Sequence, residues 1–169
     1  MANLINLFDN AASVSGWQPI DDRVMGGVSF SQMRFDPAGY AVFAGEVSLR
    51  NNGGFASVRA PLLQMGGPAT VAYRITSWGD GHTYKLNLRT DCGFDELNYQ
   101  ASFTPKNGQW SQTELLVAEF VATFRGTVLP HAPPLQPALV TQLGLMISDR
   151  QAGPFRLLLQ SIEAVGAHV

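Results

Sequence analysis

Residues 43–59 read FAGEVSLRNNGGFASVR, and this stretch decides the fold class. Within residues 42–49, Phe43, Val47 and Leu49 fall on one side and Glu46 and Ser48 on the other, which is the period of a half-buried strand. Residues 50–54 then supply two asparagines and two glycines, which tolerate the positive φ angles that tight turns require. Residues 55–60 return as a second alternating run. We therefore predict a β-hairpin with strands at residues 42–49 and 55–60.

Short alternating runs separated by turns continue along the whole chain. They predict further strands at residues 28–35, 70–77, 84–90, 97–104, 112–117, 144–148 and 155–164. The four prolines of residues 129–137 predict a loop, and residues 138–143 predict one short helical turn. Because no long amphipathic helix is evident, the chain is predicted to be all-β, a jelly-roll β-sandwich that forms a single domain over residues 1–169.

Composition argues against several classes of function. Charged residues make up only 14%, the net charge is −2, and the lysines and arginines are scattered. A basic surface for nucleic acid is therefore not expected. No apolar run approaches the ~20 residues that span a bilayer, and the first nine residues lack the pattern of a signal peptide. Cys92 is the single cysteine, so no internal disulfide can form, and we expect a reducing compartment and a cytoplasmic protein.

Asp22, Arg23 and Cys92 are the residues that an enzyme would use, but the sequence does not combine a nucleophile, a base and an orienting group. Residues 21–27 read DDRVMGG and lack the Gly-Lys-Ser/Thr ending of a phosphate-binding loop. We interpret this segment as a turn in which Asp22 caps the backbone and pairs with Arg23. Asn52 is a second turn candidate. The chain is therefore predicted not to be an enzyme.

Neither a cofactor nor a metal is predicted. The chain has three widely separated histidines, none at metal-ligand spacing: His82, His131 and His168. Asp91, Asp95 and Glu96 share one loop, and calcium binds such oxygen clusters, but their spacing matches no calcium-loop signature. We interpret this loop as a solvated acidic one.

The polar positions of three predicted strands form the best candidate for a binding site. If these strands lie in one sheet, their polar side chains share one face, and the candidates are Arg59, Lys85, Asn87, Arg89, Asn98 and Gln100. Arginine and amide side chains at fixed spacing suit hydroxyl-rich or peptide ligands. The alternative is that this face is simply the solvated side of an antiparallel sheet.

The three tryptophans offer stacking surfaces for a sugar, but a tryptophan in a sandwich more often belongs to the core. We expect at least two of Trp17, Trp78 and Trp110 to be core residues.

Several blocks of sequence follow one another in the order expected of a single family. They are DRVMGGVS at residues 22–29, FAGEVSL at 43–49, NNGGFASVR at 51–59, GDG at 79–81, FRG at 124–126, LGLMISD at 143–149 and QAGPF at 151–155. Together they resemble the complex I intermediate-associated protein 30 family from about residue 17 to residue 162.

The resemblance implies a galactose-binding-domain-like jelly roll related to carbohydrate-binding modules. It implies a non-catalytic assembly or chaperone-like factor whose partner is a protein, an assembly intermediate of a membrane complex. The first alternative is a module that binds a saccharide or another small polar ligand, and the second is an enzyme of unknown reaction. Because no mitochondrial transit peptide is evident, we expect a stand-alone, bacterial-type member.

Overall fold

The computed structural model describes residues 4–6, 8–22, 26–61, 64–90, 97–124 and 126–166. Strands dominate it. They are β1 (Leu4–Asn6), β2 (Gln18–Pro19), β3 (Phe30–Asp36), β4 (Tyr40–Val47), β5 (Ala56–Pro61), β6 (Thr70–Trp78), β7 (Tyr84–Thr90), β8 (Leu97–Phe103), β9 (Trp110–Leu116), β10 (Val121–Phe124), β11 (Thr127–Val128), β12 (Val140–Ile147) and β13 (Gly153–Gly166). Short 3₁₀ turns span Ala11–Val14, Arg50–Asn52, Val117–Glu119 and Pro137–Leu139.

The strands form two antiparallel sheets. The first has the order β3-β4-β13-β6-β9, with β1 also paired to β13. The second has the order β11-β10-β8-β7-β12-β5-β2. This arrangement confirms the predicted all-β sandwich. Within the described ranges, no helix has the length and apolar composition needed to cross a bilayer.

The core lies between the two sheets and follows directly from the alternation of the strands. In β7, Tyr84, Leu86 and Leu88 point inward and are fully buried, whereas the residues between them face outward. From the first sheet, Phe43 packs edge-to-face against Tyr84 with ring centroids 6.1 Å apart. Burying each large apolar side chain contributes about 1.5–3 kcal/mol to the free energy of unfolding.

The predicted hairpin over residues 42–60 is wrong, because its two strands belong to different sheets. β4 pairs with β3 and β13 in the first sheet, whereas β5 pairs with β12 and β2 in the second. The connection between β4 and β5 crosses the edge of the sandwich instead of turning back within one sheet. Asn51 and Asn52 do take positive φ angles of 55° and 60°, as their residue types predict.

The prediction of a helical turn at residues 138–143 is correct only at its start. A 3₁₀ turn ends at Leu139, and β12 begins at Val140. Val140, Leu143 and Leu145 are buried, and β12 pairs with strands on both sides. Sheet pairing and core burial therefore override the helical tendency. The short strands β1, β2, β10 and β11 were not predicted.

The expectation that at least two tryptophans belong to the core is also wrong. Trp17 is buried in the core cluster. Trp78 and Trp110 pair across β6 and β9 on the outer side of the first sheet, where their rings meet edge-to-face at 5.8 Å. Their positions share a face with outward Arg74, so the pleat directs both indoles away from the core.

A buried carboxylate, that of Asp22, holds the crossing between the sheets. It accepts hydrogen bonds from the Ser29 amide at 2.9 Å, from the Ser29 hydroxyl at 2.5 Å and from the Gly54 amide at 2.8 Å. Burial alone would raise the pKa of Asp22, but these hydrogen bonds, with one from the Phe55 amide, outweigh it and lower the pKa. The charged carboxylate therefore fixes the chain before β3 against the chain before β5.

The neighbouring carboxylate, that of Asp21, extends this link to β5 itself. It accepts hydrogen bonds from the Ser31 amide and hydroxyl in β3, at 3.1 and 2.6 Å, and from the Ser57 amide in β5, at 3.0 Å. The Ser57 hydroxyl in turn donates to the carbonyl of Ile20. Because β3 and β5 belong to different sheets, Asp21 ties the edge of the second sheet to the first.

Two glycines make room for the Asp22 carboxylate. A Cβ atom at Gly27 or at Gly53 would overlap the Asp22 carboxyl group. Gly27 and Gly53 are therefore required on the two sides of the buried Asp22 carboxylate.

A third carboxylate, that of Asp80, forms a second link between the sheets. It accepts hydrogen bonds from the Arg156 amide in β13 at 2.7 Å and from the Tyr84 hydroxyl in β7 at 2.9 Å. Despite its burial, the pKa of Asp80 is lowered by these bonds and by those from His82. Burial and the Asp80 charge together raise the pKa of Tyr84, so the phenol stays protonated and remains the donor.

We predict that Gly53→Ala lowers the free energy of unfolding by about 1–3 kcal/mol, because the added methyl group displaces the Asp22 carboxylate. Urea denaturation measures this loss in the free energy of unfolding. The matched control is Gly16→Ala, where nothing lies within 4 Å of the added Cβ. Equal stability of Gly53→Ala and Gly16→Ala would show that Asp22 does not need this space.

We predict that Asp22→Asn destabilises the fold by about 1.5–3 kcal/mol at neutral pH, because it removes charge-assisted hydrogen bonds. The folded pKa of Asp22 lies below its unfolded value of about 3.9, so this stability is fully present above about pH 5 and is lost as the pH falls through the folded pKa. The gap between wild type and variant, measured by urea denaturation, should therefore shrink toward low pH. The control is Asp9→Asn, because Asp9 is exposed. A stability difference between wild type and Asp22→Asn that does not change with pH would contradict this role of the Asp22 carboxylate.

Candidate functional site

A groove of about 910 Å³ lies on the outer face of the second sheet. Strands β5, β12, β7 and β8 form its floor, and their outward side chains line it. The inward residues of the same strands fill the core, so the groove stands on a rigid base.

The sheet register arranges the lining residues in cross-strand rows. In the central row, Gln100 pairs with Asn87, Asn87 with Gly144, and Gly144 with Arg59. In the next row toward the start of β7, Lys85 pairs with Met146. In the row on the other side, Arg89 pairs with Gln142, and Asn98 pairs with Thr123 of β10. Each row thus brings polar groups from several strands together.

Two contacts hold side chains on the walls of the groove. The Lys85 ammonium forms an ion pair with the Asp149 carboxylate at 3.1 Å. The Gln100 amide donates to the sulfur of Met146 at 3.7 Å. Lys85 is therefore largely neutralised in place, and Gln100 is oriented across the floor.

Several buried side-chain oxygens of the groove have no hydrogen-bond partner among the residues that the structure describes. They belong to Asn87, Asn98, Gln142 and Ser148. Buried polar groups in folded proteins are normally satisfied by protein or water. These oxygens on one face of the sheet are available to water or to another hydrogen-bond donor.

Arg59 is a half-buried cation on the floor of the groove. Its pKa is lowered to about 10, first by burial and second by the positive charge of Arg89. No carboxylate of the described residues forms an ion pair with Arg59. The guanidinium remains protonated at neutral pH, but its charge is poorly compensated.

The structure brings together all six polar residues that the strand pattern selected: Arg59, Lys85, Asn87, Arg89, Asn98 and Gln100. The two turn candidates within the described residues lie elsewhere. Asp22 is buried in the crossing between the sheets, and Asn52 is exposed in the adjoining loop. Arg23, and with it the expected ion pair to Asp22, lies outside the described residues.

The sequence predicted only the second half of the strand at the centre of the groove, residues 144–148, and none of its residues was selected for the site. Gln142, Gly144 and Met146 of β12 all line it. Their alternation with buried Leu143 and Leu145 is visible in the sequence, but the expected helical turn at residues 138–143 obscured it.

The remaining predictions for chemistry concern catalytic and metal-binding residues. Outside the described residues lie Cys92, His168 and the acidic loop of Asp91, Asp95 and Glu96. The described residues contain no group of three or more metal-binding side chains. His82 is half-buried, with its Nδ1 2.9 Å from the Asp80 carboxylate, and His131 is exposed.

Comparison with known protein families finds a match that covers most of the chain. Residues 6–159 match the profile of the complex I intermediate-associated protein 30 family. The mitochondrial complex I intermediate-associated protein 30 of Neurospora crassa is 26% identical over 76% of this chain and 52% of its own length. The chain therefore spans about half the length of that relative. An uncharacterised protein of Schizosaccharomyces pombe is 27% identical over 90% of this chain and 79% of its own length.

Comparison with solved structures identifies the fold. A family 11 carbohydrate-binding module from Clostridium thermocellum, solved with a β-1,3-1,4-mixed-linked tetrasaccharide, superposes with a TM-score of 0.70. It is 13% identical, and the match covers 99% of this chain and 98% of that one. This likeness confirms the predicted galactose-binding-like jelly roll.

We predict that Arg89→Gln raises the pKa of Arg59 from about 10 toward its usual value, because it removes the second positive charge. Because Arg59 remains buried in this variant, its pKa should recover only part of the way. A pH titration of the Arg59 guanidinium carbon by NMR measures it. Arg74→Gln, on the other sheet, is the control and should leave Arg59 unchanged. An identical Arg59 titration in wild type and Arg89→Gln would show that the two guanidiniums are not coupled.

Proposed function

Because the chain belongs to the complex I intermediate-associated protein 30 family, we propose that it is a non-catalytic binding protein that acts in the assembly of a membrane protein complex. The family supports this role, and the relative from Neurospora crassa is named as a protein associated with a complex I intermediate. We further propose that the groove on the second sheet is the surface that binds the client protein.

The observation that carries the proposal is the set of unsatisfied acceptors on the floor of the groove. The side-chain oxygens of Asn87, Asn98 and Gln142 need N–H or O–H donors. An extended polypeptide presents a backbone N–H group at nearly every residue. A client segment lying along the groove can therefore satisfy several of them at once.

The chemistry of the lining favours binding over catalysis. Among the described residues that line the groove there is no histidine, and the one carboxylate, Asp149, is paired with Lys85. General acid–base catalysis needs a group whose proton can move within reach of the substrate. The described lining therefore supplies mainly hydrogen-bonding groups and positive charge.

A saccharide is the second candidate ligand. The amide side chains of Asn87, Gln100 and Gln142 can bond to hydroxyl groups as well as to a peptide backbone. These amides suit a peptide and a saccharide equally well, so an experiment must distinguish the two ligands.

We propose that this chain works in the cytoplasm, as expected from its single cysteine. The name of the Neurospora crassa relative places that protein in mitochondria. Cell fractionation of the native host decides between the two locations.

We predict that the double variant Asn87→Ala, Gln142→Ala loses its membrane-complex partners. After in-cell cross-linking and affinity purification, mass spectrometry should show at least a tenfold drop in co-purified subunits relative to wild type. The control is Gln112→Ala, an exposed amide on the outer side of the first sheet. Unchanged recovery of the same subunits would contradict the assignment of the groove.

The saccharide candidate is tested by calorimetric titration with the β-1,3-1,4-mixed-linked tetrasaccharide. Heat with wild type that disappears in the double variant, together with unchanged protein partners, would favour saccharide binding over the proposed function. If client binding is the role of the groove, no heat is expected.

A further inference from the structure

We propose that β9, an edge strand of the first sheet, pairs antiparallel with β9 of a second copy of this chain, so that two molecules share one continuous sheet. The two strands meet at Thr113, through which the two-fold axis passes. β9 belongs to the sheet opposite the groove, so this pairing is independent of client binding.

Each of the two sheets has an edge strand at either end, and β9 is the long edge that the described residues leave open. The edges of the second sheet, β2 and β11, are only two residues long. The other edge of the first sheet, β3, is closed by Asp21, whose carboxylate accepts a hydrogen bond from the Ser31 amide at 3.1 Å. β9 has seven residues, and no described strand pairs with its outer side. Its outer backbone groups therefore form a template for another strand.

One hydrogen bond shows which backbone groups of β9 point outward. The Leu116 amide donates to Glu119 Oε2 at 2.6 Å, so it points away from β6. In an antiparallel ladder, successive residues direct their N–H and C=O groups to opposite sides. Because the register of β9 with β6 is unbroken, Gln112 and Glu114 share the orientation of Leu116. Their backbone groups are therefore the ones that bond to a second strand.

β9 lacks the features that usually protect an edge strand. Exposed edges commonly carry lysine, proline or a bulge, which prevent pairing with another chain. The sequence of β9, WSQTELL, contains neither lysine nor proline, and no bulge interrupts its register with β6. Its one charged side chain, Glu114, is already paired with Arg74 at 3.1 Å. Nothing in the strand itself therefore opposes pairing.

The sequence of β9 is complementary to itself when two copies run antiparallel about Thr113. Gln112 then lies opposite Glu114 of the second copy, so no like charges face one another. Trp110 lies opposite Leu116, and its ring covers a side chain that is 53% exposed in the single chain. A shift by two residues either faces Glu114 with its own copy, which is unfavourable, or places it opposite Trp110. Charge and burial therefore select the register about Thr113.

Sedimentation velocity of the full chain, from micromolar to millimolar concentration, tests whether the dimer forms. We expect the sedimentation coefficient to rise from that of a monomer to that of a dimer. Gln112→Pro removes an outward N–H group without breaking a hydrogen bond to β6, and proline is tolerated on the open side of an edge strand. This variant should remain folded by circular dichroism and stay monomeric over the same range.

Two charge variants test the register. Gln112→Glu places a carboxylate opposite Glu114 of the second copy on both sides of the axis, and should weaken the dimer by about three- to tenfold. Gln112→Lys places opposite charges at the same positions and should strengthen the dimer by about the same factor. The matched control is Gln32→Glu, because Gln32 is an exposed glutamine of the opposite edge strand, β3. It should leave the dissociation constant unchanged.

Several results would overturn the inference. A chain that stays monomeric up to millimolar concentration contradicts it, as does a dimer that persists in folded Gln112→Pro. If Gln112→Glu and Gln112→Lys shift the dissociation constant in the same direction, or not at all, pairing about Thr113 is wrong. Should Gln112→Pro fail to fold, the two charge variants decide, because each changes an exposed side chain alone. Client binding is decided separately, by the cross-linking comparison of the amide variant.

Discussion

The buried carboxylate of Asp22 is the interaction on which the rest of this structure depends. It accepts hydrogen bonds from Ser29 on one side and from Gly54 on the other, and so joins the chain leading into β3 to the chain leading into β5. Asp21 continues the link by bonding to β3 and to Ser57 of β5. A charged group that is buried must be compensated, and here backbone amides and hydroxyls provide the compensation. The two sheets are therefore joined by directional bonds as well as by apolar packing.

This constraint also positions the groove. β5 lies near the edge of the second sheet, where only the two-residue β2 flanks it on the outer side. Asp21 fixes the Ser57 amide, and Arg59 follows two residues later on the same face of the strand. Some residues of the family blocks, such as Asp22, Gly53 and Asp80, form links between the sheets and do not line the groove. Other block residues, such as Arg59 and Met146, do line it. The recognisable sequence therefore encodes the scaffold together with part of the groove.

The contrast between local strand patterns and long-range bonds explains what could be predicted from the sequence. Strand β7 was predicted with the bounds it has, because alternation is a local property, and the same alternation identified the polar residues of the groove. The pairing of β5 could not be predicted, because it joins residues far apart in sequence, such as Arg59 and Gly144. Strand β12 was only half predicted, because residues 138–143 were interpreted as a helical turn and the pairing of β12 on both sides is a long-range effect. Local patterns thus gave the strands and the polar face, and tertiary bonds decided the sheets.

The central claim is that the polar groove of the second sheet contacts the client protein. Site-specific photo-cross-linking tests it most directly, with a photoreactive amino acid placed at Met146 on the floor of the groove, or at exposed Gln32 on the outer side of the first sheet. After irradiation in the native host, the account predicts a cross-linked subunit of a membrane complex from position 146 and none from position 32. Cross-links to the same subunit from position 32 alone, or equally from both positions, would contradict it.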